Sequence, residues 1–305
     1  MSTGYDLEFG WINDPEAVVR TLEQMPRPIF AHHSEAIAGS GAGKIVLLHK
    51  AVEKVVGSFP VNNQTVGDCV SHGEAGACQV LICTDIVLRR EAEEWRGLVA
   101  TEPIYAGSRV EIGGGRISGD GSVGAWAARW VTEYGVLVRR KYEVAGIEFD
   151  LTEYDGDRAR AWGRRGVGCP NGLEPIAKEH PVKTTSLCTG YDQARDAIAN
   201  GYPVTVASNR GFNDVRDSQG FLRPSGTWSH EMYFCGVDDE FSRPGLLCIN
   251  SWGKKWVSGP KRHDQPDGSF WVDADVADKM LAAGDSFAHS GFDGFPSQNL
   301  DYLLI

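Results

Sequence analysis

Three short segments hold side chains that together could do covalent chemistry. They are Asn63-Gln-Thr-Val-Gly-Asp-Cys69, Trp228-Ser-His230-Glu, and Cys248-Ile-Asn250-Ser-Trp252-Gly. A free thiol titrates near pH 8.5 and is mostly protonated at neutral pH, so a nucleophilic cysteine needs help to ionise. A helix N-terminus supplies part of it, because its unpaired N–H groups stabilise negative charge. Cys69 stands where a run of small residues, Ser71, Gly73, Ala75, Gly76 and Ala77, opens a buried helix pattern reaching about Leu88. An imidazolium from His230 would lower the thiol further as a thiolate–imidazolium pair. The Asn250 side-chain oxygen can accept the other ring N–H and fix the ring. Gln64, just upstream, can reach back over the thiol and donate its amide to a developing oxyanion, with the Cys69 backbone N–H as second donor.

At these segments the chain resembles the papain family of cysteine peptidases, in which a Gln precedes Gly-x-Cys at a helix start, a His opens a strand, and Asn-Ser-Trp-Gly follows on the next. The order Cys69, His230, Asn250 also matches. The resemblance implies an α+β fold with a helical left lobe, an antiparallel β-barrel-like right lobe and a peptide cleft between them. It implies catalytic Cys69, His230, Asn250 and Gln64, and places Trp252 as a shield over the His230–Asn250 hydrogen bond. Gly119-Asp-Gly121-Ser122 resembles the family's glycine-rich wall, so Gly121 and Ser122 are expected to pair with an extended substrate backbone. There are departures. Val66 stands where the family has a disulfide cysteine, Val70 where it has an aromatic, and Gln64 is one residue closer to the nucleophile than usual. His230 and Asn250 lie farther downstream than the roughly 130–150 residues typical of the family, which fits insertions.

The elements needed to position these groups can be read along the chain. Pro15 to Met25 predicts a short helix capped by Asn13 or Asp14. Ala38 to Gly43 predicts a flexible linker, and Ile45 to Val56 carries apolar residues at helical spacing. Gly113 to Gly124 is a glycine-rich loop, followed by helices at Ala125 to Tyr134 and Tyr191 to Ala199. Residues 152–183 are polar with Gly and Pro and predict an insertion or surface excursion. After Pro203 the pattern turns to strands, at Val204-Thr-Val-Ala, His230 to Val237, Leu246 to Asn250 and Phe270-Trp-Val. Helix-rich then strand-rich is an α+β pattern. The expected division is an N-terminal arm, 1–58, and a papain-like domain, 59–305, with lobes at about 59–195 and 196–305. Papain-like enzymes are commonly made with a prosegment that runs through the cleft. Here Ile45 to Val56 is expected to pack permanently on a lobe, while Tyr5 to Phe30 can reach the cleft or a protein partner, the docking or packing role being favoured.

The chain has 305 residues and a net charge of −11, which argues against a nucleic-acid ligand or an anionic membrane surface. Met1 to Trp11 lacks the basic start and apolar stretch of a secretory signal, and no apolar run approaches the ~18 residues of a membrane span. The expectation is a cytoplasmic or virion-associated protein. Seven cysteines leave at least one unpaired, and with no CxxC spacing neither a disulfide framework nor a zinc ribbon is expected. No cofactor and no metal site are expected. Gly39 to Lys44 imitates a phosphate loop but lacks the Gly and Ser/Thr that pattern requires at Ala38 and Ile45. His32-His33 reads as a surface turn, His72 and Glu231 as local structure, and Cys78, Cys83 and Cys248 as core thiols. The leading reading is a peptidase acting on a peptide or protein substrate through a thioester. The alternatives are the same fold kept as a binding or structural part of an assembly such as a virus particle, or a cell-wall peptide hydrolase or transglutaminase-like enzyme.

Overall fold

The computed structural model describes residues 8–89, 96–180, 182–240, 242–298 and 300. Its helices are α1 (Pro15–Leu22), α2 (Phe30–His33), α3 (His49–Val56), α4 (Cys69–Arg89), α5 (Thr101–Gly107), α6 (Gly124–Glu133), α7 (Gly156–Trp162), α8 (Glu174–Ala177), α9 (Tyr191–Ala199) and α10 (Ala274–Leu281). Its strands are β1 (Ile45–Leu47), β2 (Lys141–Val144), β3 (Ile147–Asp150), β4 (Thr184–Leu187), β5 (Val204–Phe212), β6 (Pro224–Asp238), β7 (Gly245–Ile249), β8 (Ser269–Asp273) and β9 (Phe287–Ser290). The chain is thus α+β, helical first and mainly strands after Pro203. One antiparallel sheet runs β4-β9-β5-β6-β7-β8, with β1 added on β6, while β2 and β3 form a separate hairpin. The path is open, and no ladder closes it into a barrel among the described residues. No helix among them is long and apolar enough to cross a membrane.

α4 is the axis of the helical half, and it packs along β6. Its small residues make that approach possible. A Cβ on Gly76 would lie 2.2 Å from the Tyr233 ring of β6, and one on Gly73 would lie 3.0 Å from the Glu231 carboxylate. A single apolar core spans both halves, from Leu48 and Val52 through Cys78 and Leu81 to Phe270 and Trp271. All seven cysteines are buried free thiols.

Two local expectations change. Residues 45–47 are a strand, not the start of a helix: Ile45, Val46 and Leu47 pair with Asp238, Val237 and Gly236. β6 runs past the end of its β5 pairing, at Val204–Phe234, and leaves ladder positions open. A short apolar run with two β-branched residues fills them, tertiary pairing overriding the helical spacing. The helix starts only at His49. The Ala38–Gly43 stretch is not slack, because the buried carboxylate of Asp196 accepts the amides of Gly39 at 2.7 Å and Gly41 at 2.9 Å. α1 forms where expected and stops three residues short of Met25. Asp14 is its cap, accepting the Ala17 amide at 2.9 Å, with Pro15 in the first turn.

The α4–β6 contact generates a stability prediction. In an open helix Gly→Ala gains about 1 kcal/mol. At Gly76 the new methyl meets a buried ring, so Gly76→Ala is expected to destabilise by about 1–3 kcal/mol. The readout is a lowered urea midpoint at unchanged m; a midpoint equal to or above wild type would show that α4 does not seat this closely.

Candidate active site

Cys69 is the first residue of α4 and is fully buried. Its Sγ accepts the backbone N–H of Glu231 at 3.4 Å, which sets the thiol against β6 beside His230. His230 Nε2 lies 2.8 Å from Asn250 Oδ1. That oxygen also accepts the Ser251 backbone N–H at 2.7 Å, which fixes the amide's orientation. Nε2 must therefore carry the proton, and Nδ1 keeps its lone pair. Nδ1 is buried and has no hydrogen-bond partner. The Trp252 ring lies 4.5 Å from the imidazole, tilted by 31°, and Trp228 and Phe9 meet the imidazole edge-on. These rings keep water from the His230–Asn250 bond.

Gln64 is oriented from both ends: its Oε1 accepts the Ser251 hydroxyl, and its backbone N–H donates to the Ser251 carbonyl at 2.8 Å. Its Nε2 donates to the Val66 carbonyl at 3.0 Å and to the Glu8 carbonyl at 3.1 Å. Even with the shortened spacing, the amide reaches a carbonyl lying in the cleft.

That carbonyl belongs to the N-terminal arm. Residues 8–12 lie across Gln64, His230 and Trp252. The Gly10 and Trp11 amides donate to the Ser229 carbonyl at 3.2 and 3.1 Å. On the opposite wall, Ser122 donates to the Gly10 carbonyl at 2.8 Å and accepts the Ile12 amide at 2.9 Å, in a parallel bridge. Gly121 borders the same path, and a Cβ there would sit 2.8 Å from the Gly10 carbonyl oxygen. Trp252 Nε1 donates to the Glu8 carbonyl at 3.1 Å. The Trp11 indole donates at 2.8 Å to Asp285, a buried carboxylate that also takes the first two amides of α6. The favoured expectation for Tyr5 to Phe30 is docking or packing, with reach into the cleft as its alternative; the backbone of residues 8–12 bridges the two walls of the cleft, and residues 5–7 lie outside the described residues.

Burial sets the charge state beneath it. The His230 imidazole is pushed down to about 4 by burial, against the opposing pull of the Asn250 hydrogen bond. The Cys69 thiol is pushed far up by burial, with the Glu231 and Gly10 amides opposing and the Glu231 and Asp68 carboxylates adding to the rise. With the arm in place burial favours the neutral form of both groups, and the thiol meets the Glu231 and Gly10 amides.

Every sequence-derived site residue, Cys69, His230, Asn250, Gln64, Gly121, Ser122 and Trp252, lies along this one cleft. Three further groups had no motif to announce them. Ser229 acts through its carbonyl, and Asp285 lies beyond the stretch that resembles the family. Asp68 precedes Cys69 and accepts the Tyr154 hydroxyl at 2.9 Å, and His72 Nε2 lies 3.4 Å from its other oxygen. The Glu231 carboxylate points away from the cleft, between Gly73 and Gly124. Glu74, Cys78 and His289 form a buried group with metal-ligand chemistry. Glu74 and His289 bond each other directly at 2.6 Å, so that pair is accounted for without an ion.

The arm's fit depends on Gly10, where a Cβ would lie 1.9 Å from the Gly67 carbonyl oxygen, a backbone atom with nowhere to move. Gly10→Ala is expected to expel the arm and speed alkylation of Cys69 by a small haloacetamide at least about tenfold, equivalent to ~1.4 kcal/mol of lost docking. An unchanged rate would mean that the arm does not guard the thiol.

No protein-family model matches the sequence, and no curated protein matches it. Solved structures do. Xylellain, a cysteine protease from Xylella fastidiosa, aligns over 93% of this chain and 91% of its own, with TM-score 0.53 and 16% identity. A procathepsin B from Trypanosoma congolense aligns over 96% and 87%, with TM-score 0.51 and 12% identity. A structure from work on the mite allergens Blo t 1 and Der p 1 aligns over 89% and 76%, with TM-score 0.50 and 12% identity. At such identities the likeness concerns the chain's path alone, and on that measure this protein has the fold of the papain-like cysteine proteases.

Proposed function

We propose that the protein is a cysteine peptidase, held latent by its own residues 8–12. The observation that carries this reading is that the cleft over Cys69 already holds an extended peptide backbone, bonded from Ser122 on one wall and Ser229 on the other. A groove that binds main chain in this way suits a peptide substrate of varied sequence.

The chemistry follows from the geometry. Once a substrate replaces the arm, the Cys69 sulfur attacks the scissile carbonyl carbon as its proton passes to His230 Nδ1. The carbonyl oxygen becomes an oxyanion facing Gln64 Nε2 and the Cys69 amide, donors that stabilise charge where it develops. The tetrahedral species collapses by breaking the C–N bond, and the leaving amine takes the proton from Nδ1. A thioester to Cys69 remains. Water attacks it, giving its proton to Nδ1, and the thiol leaves with the acid product. Asn250 accepts the Nε2 proton throughout, so one tautomer serves both halves of the cycle. With the arm gone, water reaches the pair, and the desolvation that keeps both groups neutral is relieved.

In the Gly10→Ala background, Cys69→Ala is expected to abolish cleavage of a fluorogenic peptide while leaving the thermal transition unchanged. Retained turnover would remove the nucleophile assignment. His230→Ala should cost more than Asn250→Ala, since the base moves the proton and the amide only orients it. Gln64→Ala should lower kcat by about 10–1,000-fold at little change in KM, and an unchanged kcat would mean that another group faces the oxyanion.

A further inference from the structure

Beside the glycine-rich wall lies a recess of about 450 Å³ lined by five arginines, Arg109, Arg116, Arg160, Arg164 and Arg165, and by one carboxylate, Asp120. This is a concentrated positive site on a chain of net charge −11. Asp120 is already engaged, with Arg160 Nη2 at 2.7 Å and the Gly67 amide at 3.3 Å. Arg109 forms the floor. It is 5% exposed, and its guanidinium is met by the carbonyls of Gly119, Gly121, Ile117 and Gly163 and by the Tyr105 hydroxyl; it forms no ion pair with a carboxylate among the described residues, although its charge acts on Asp120. Arg116, Arg164 and Arg165 are exposed and have no acidic partner among the described residues. Carbonyls satisfy a guanidinium's donors without cancelling its charge, so the recess keeps a strong positive potential.

The recess opens onto the cleft. Gly119 and Asp120 run directly into Gly121 and Ser122, and the Asp120 Cβ would lie 2.9 Å from a Cβ on Gly67, which itself abuts the Phe9 carbonyl. Ile117, also on its wall, belongs to the same apolar patch as Ile12 of the arm. A substrate bonded to Ser122 would therefore send a side chain towards these guanidiniums. The arm brings one carboxylate near them, since Glu8 adds to the forces holding Arg160 above its ordinary range, behind the larger effect of Asp120.

Building on the peptidase reading, we propose that this recess is a specificity site that selects peptide substrates with an acidic side chain on the Ser122 side of the scissile bond. Arginine forks bind carboxylates in a planar, two-pronged way that a neutral isostere cannot match. The excursion at 152–183 supplies three of the five arginines, so that surface segment acquires a role in the cleft. The gain is uniform binding, appearing in KM more than in kcat. It weakens as salt rises, because the outer guanidiniums are exposed.

The test uses full-length Gly10→Ala protein and peptides of fixed length with Glu, Gln or Lys scanned one position at a time around the cleavage site. Each peptide is also prepared as an epoxide that labels Cys69. At one position on the Ser122 side, Glu is expected to exceed Gln by about tenfold in kcat/KM, on the order expected for charge-assisted pairing by several exposed guanidiniums. Arg164→Ala/Arg165→Ala should bring kcat/KM for the Glu peptide down to that of the Gln peptide measured on the same variant, and Arg164→Glu/Arg165→Glu should reverse the preference towards Lys. Equal rates for Glu and Gln at every position, with Cys69 still labelled, would overturn the specificity site and leave the peptidase standing. Failure of every peptide epoxide to label a thiol that a haloacetamide still reaches would overturn the peptidase reading, and this proposal with it.

Discussion

The close seating of α4 on β6 is the contact on which the site depends. One element carries Cys69 and the other His230, and the glycines of α4 set how closely the two elements approach. Gly73 and Gly76 face Glu231 and Tyr233, the residues just beyond His230, so any side chain there would lift the helix and carry Cys69 from the imidazole. The reciprocal tie is the Glu231 amide, which points at Cys69 Sγ. Cys69 is therefore held by the backbone of the strand that bears His230. From β7, Asn250 needs only the neighbouring register, where Tyr233 pairs with Ile249, to meet His230.

The same burial that makes this contact firm sets the chemistry in opposition to catalysis while the arm is docked. A thiolate–imidazolium pair is two charges, and both are costly in an interior sealed by Trp252, Trp228 and Phe9. The neutral pair wins. The arm completes that seal, and it is itself held by main-chain bonds and by one buried indole–carboxylate contact, between Trp11 and Asp285. In the proposed peptidase, latency and catalysis differ by the presence of five residues of chain.

The part of the site that rests on side-chain chemistry was legible in the sequence. A thiol, an imidazole, an amide acceptor and an amide donor each need a particular residue type, and Asn250-Ser-Trp-Gly is specific enough to fix its neighbours' order. The parts that rest on backbone were legible only at the glycine-rich wall, where the resemblance marked Gly121 and Ser122 for pairing with an extended chain. Gly10, Ser122 and Ser229 meet through N–H and C=O groups that every residue carries, so no motif announced that the arm would cross the cleft. The arginine recess was hidden for another reason. Its arginines come from the helical turn after α5, the glycine-rich loop, α7 and the loop that follows, and only the fold sums their charges. β1 was misread because its three residues fit a helical spacing as well as a strand, and the deciding factor was an unfilled edge on β6.

Whether the docked arm keeps Cys69 and His230 neutral is decided by the pH dependence of Cys69 alkylation, compared between wild type and Gly10→Ala. A thiol raised by burial ionises only in alkali, so the wild-type rate should climb through the alkaline range with no plateau near neutrality. In the variant, with the imidazolium free to pair with the thiolate, the rate should hold a plateau that extends to acidic pH and falls only as the pair takes up a proton. Superimposable profiles, either both plateaued or both rising only in alkali, would contradict the claim.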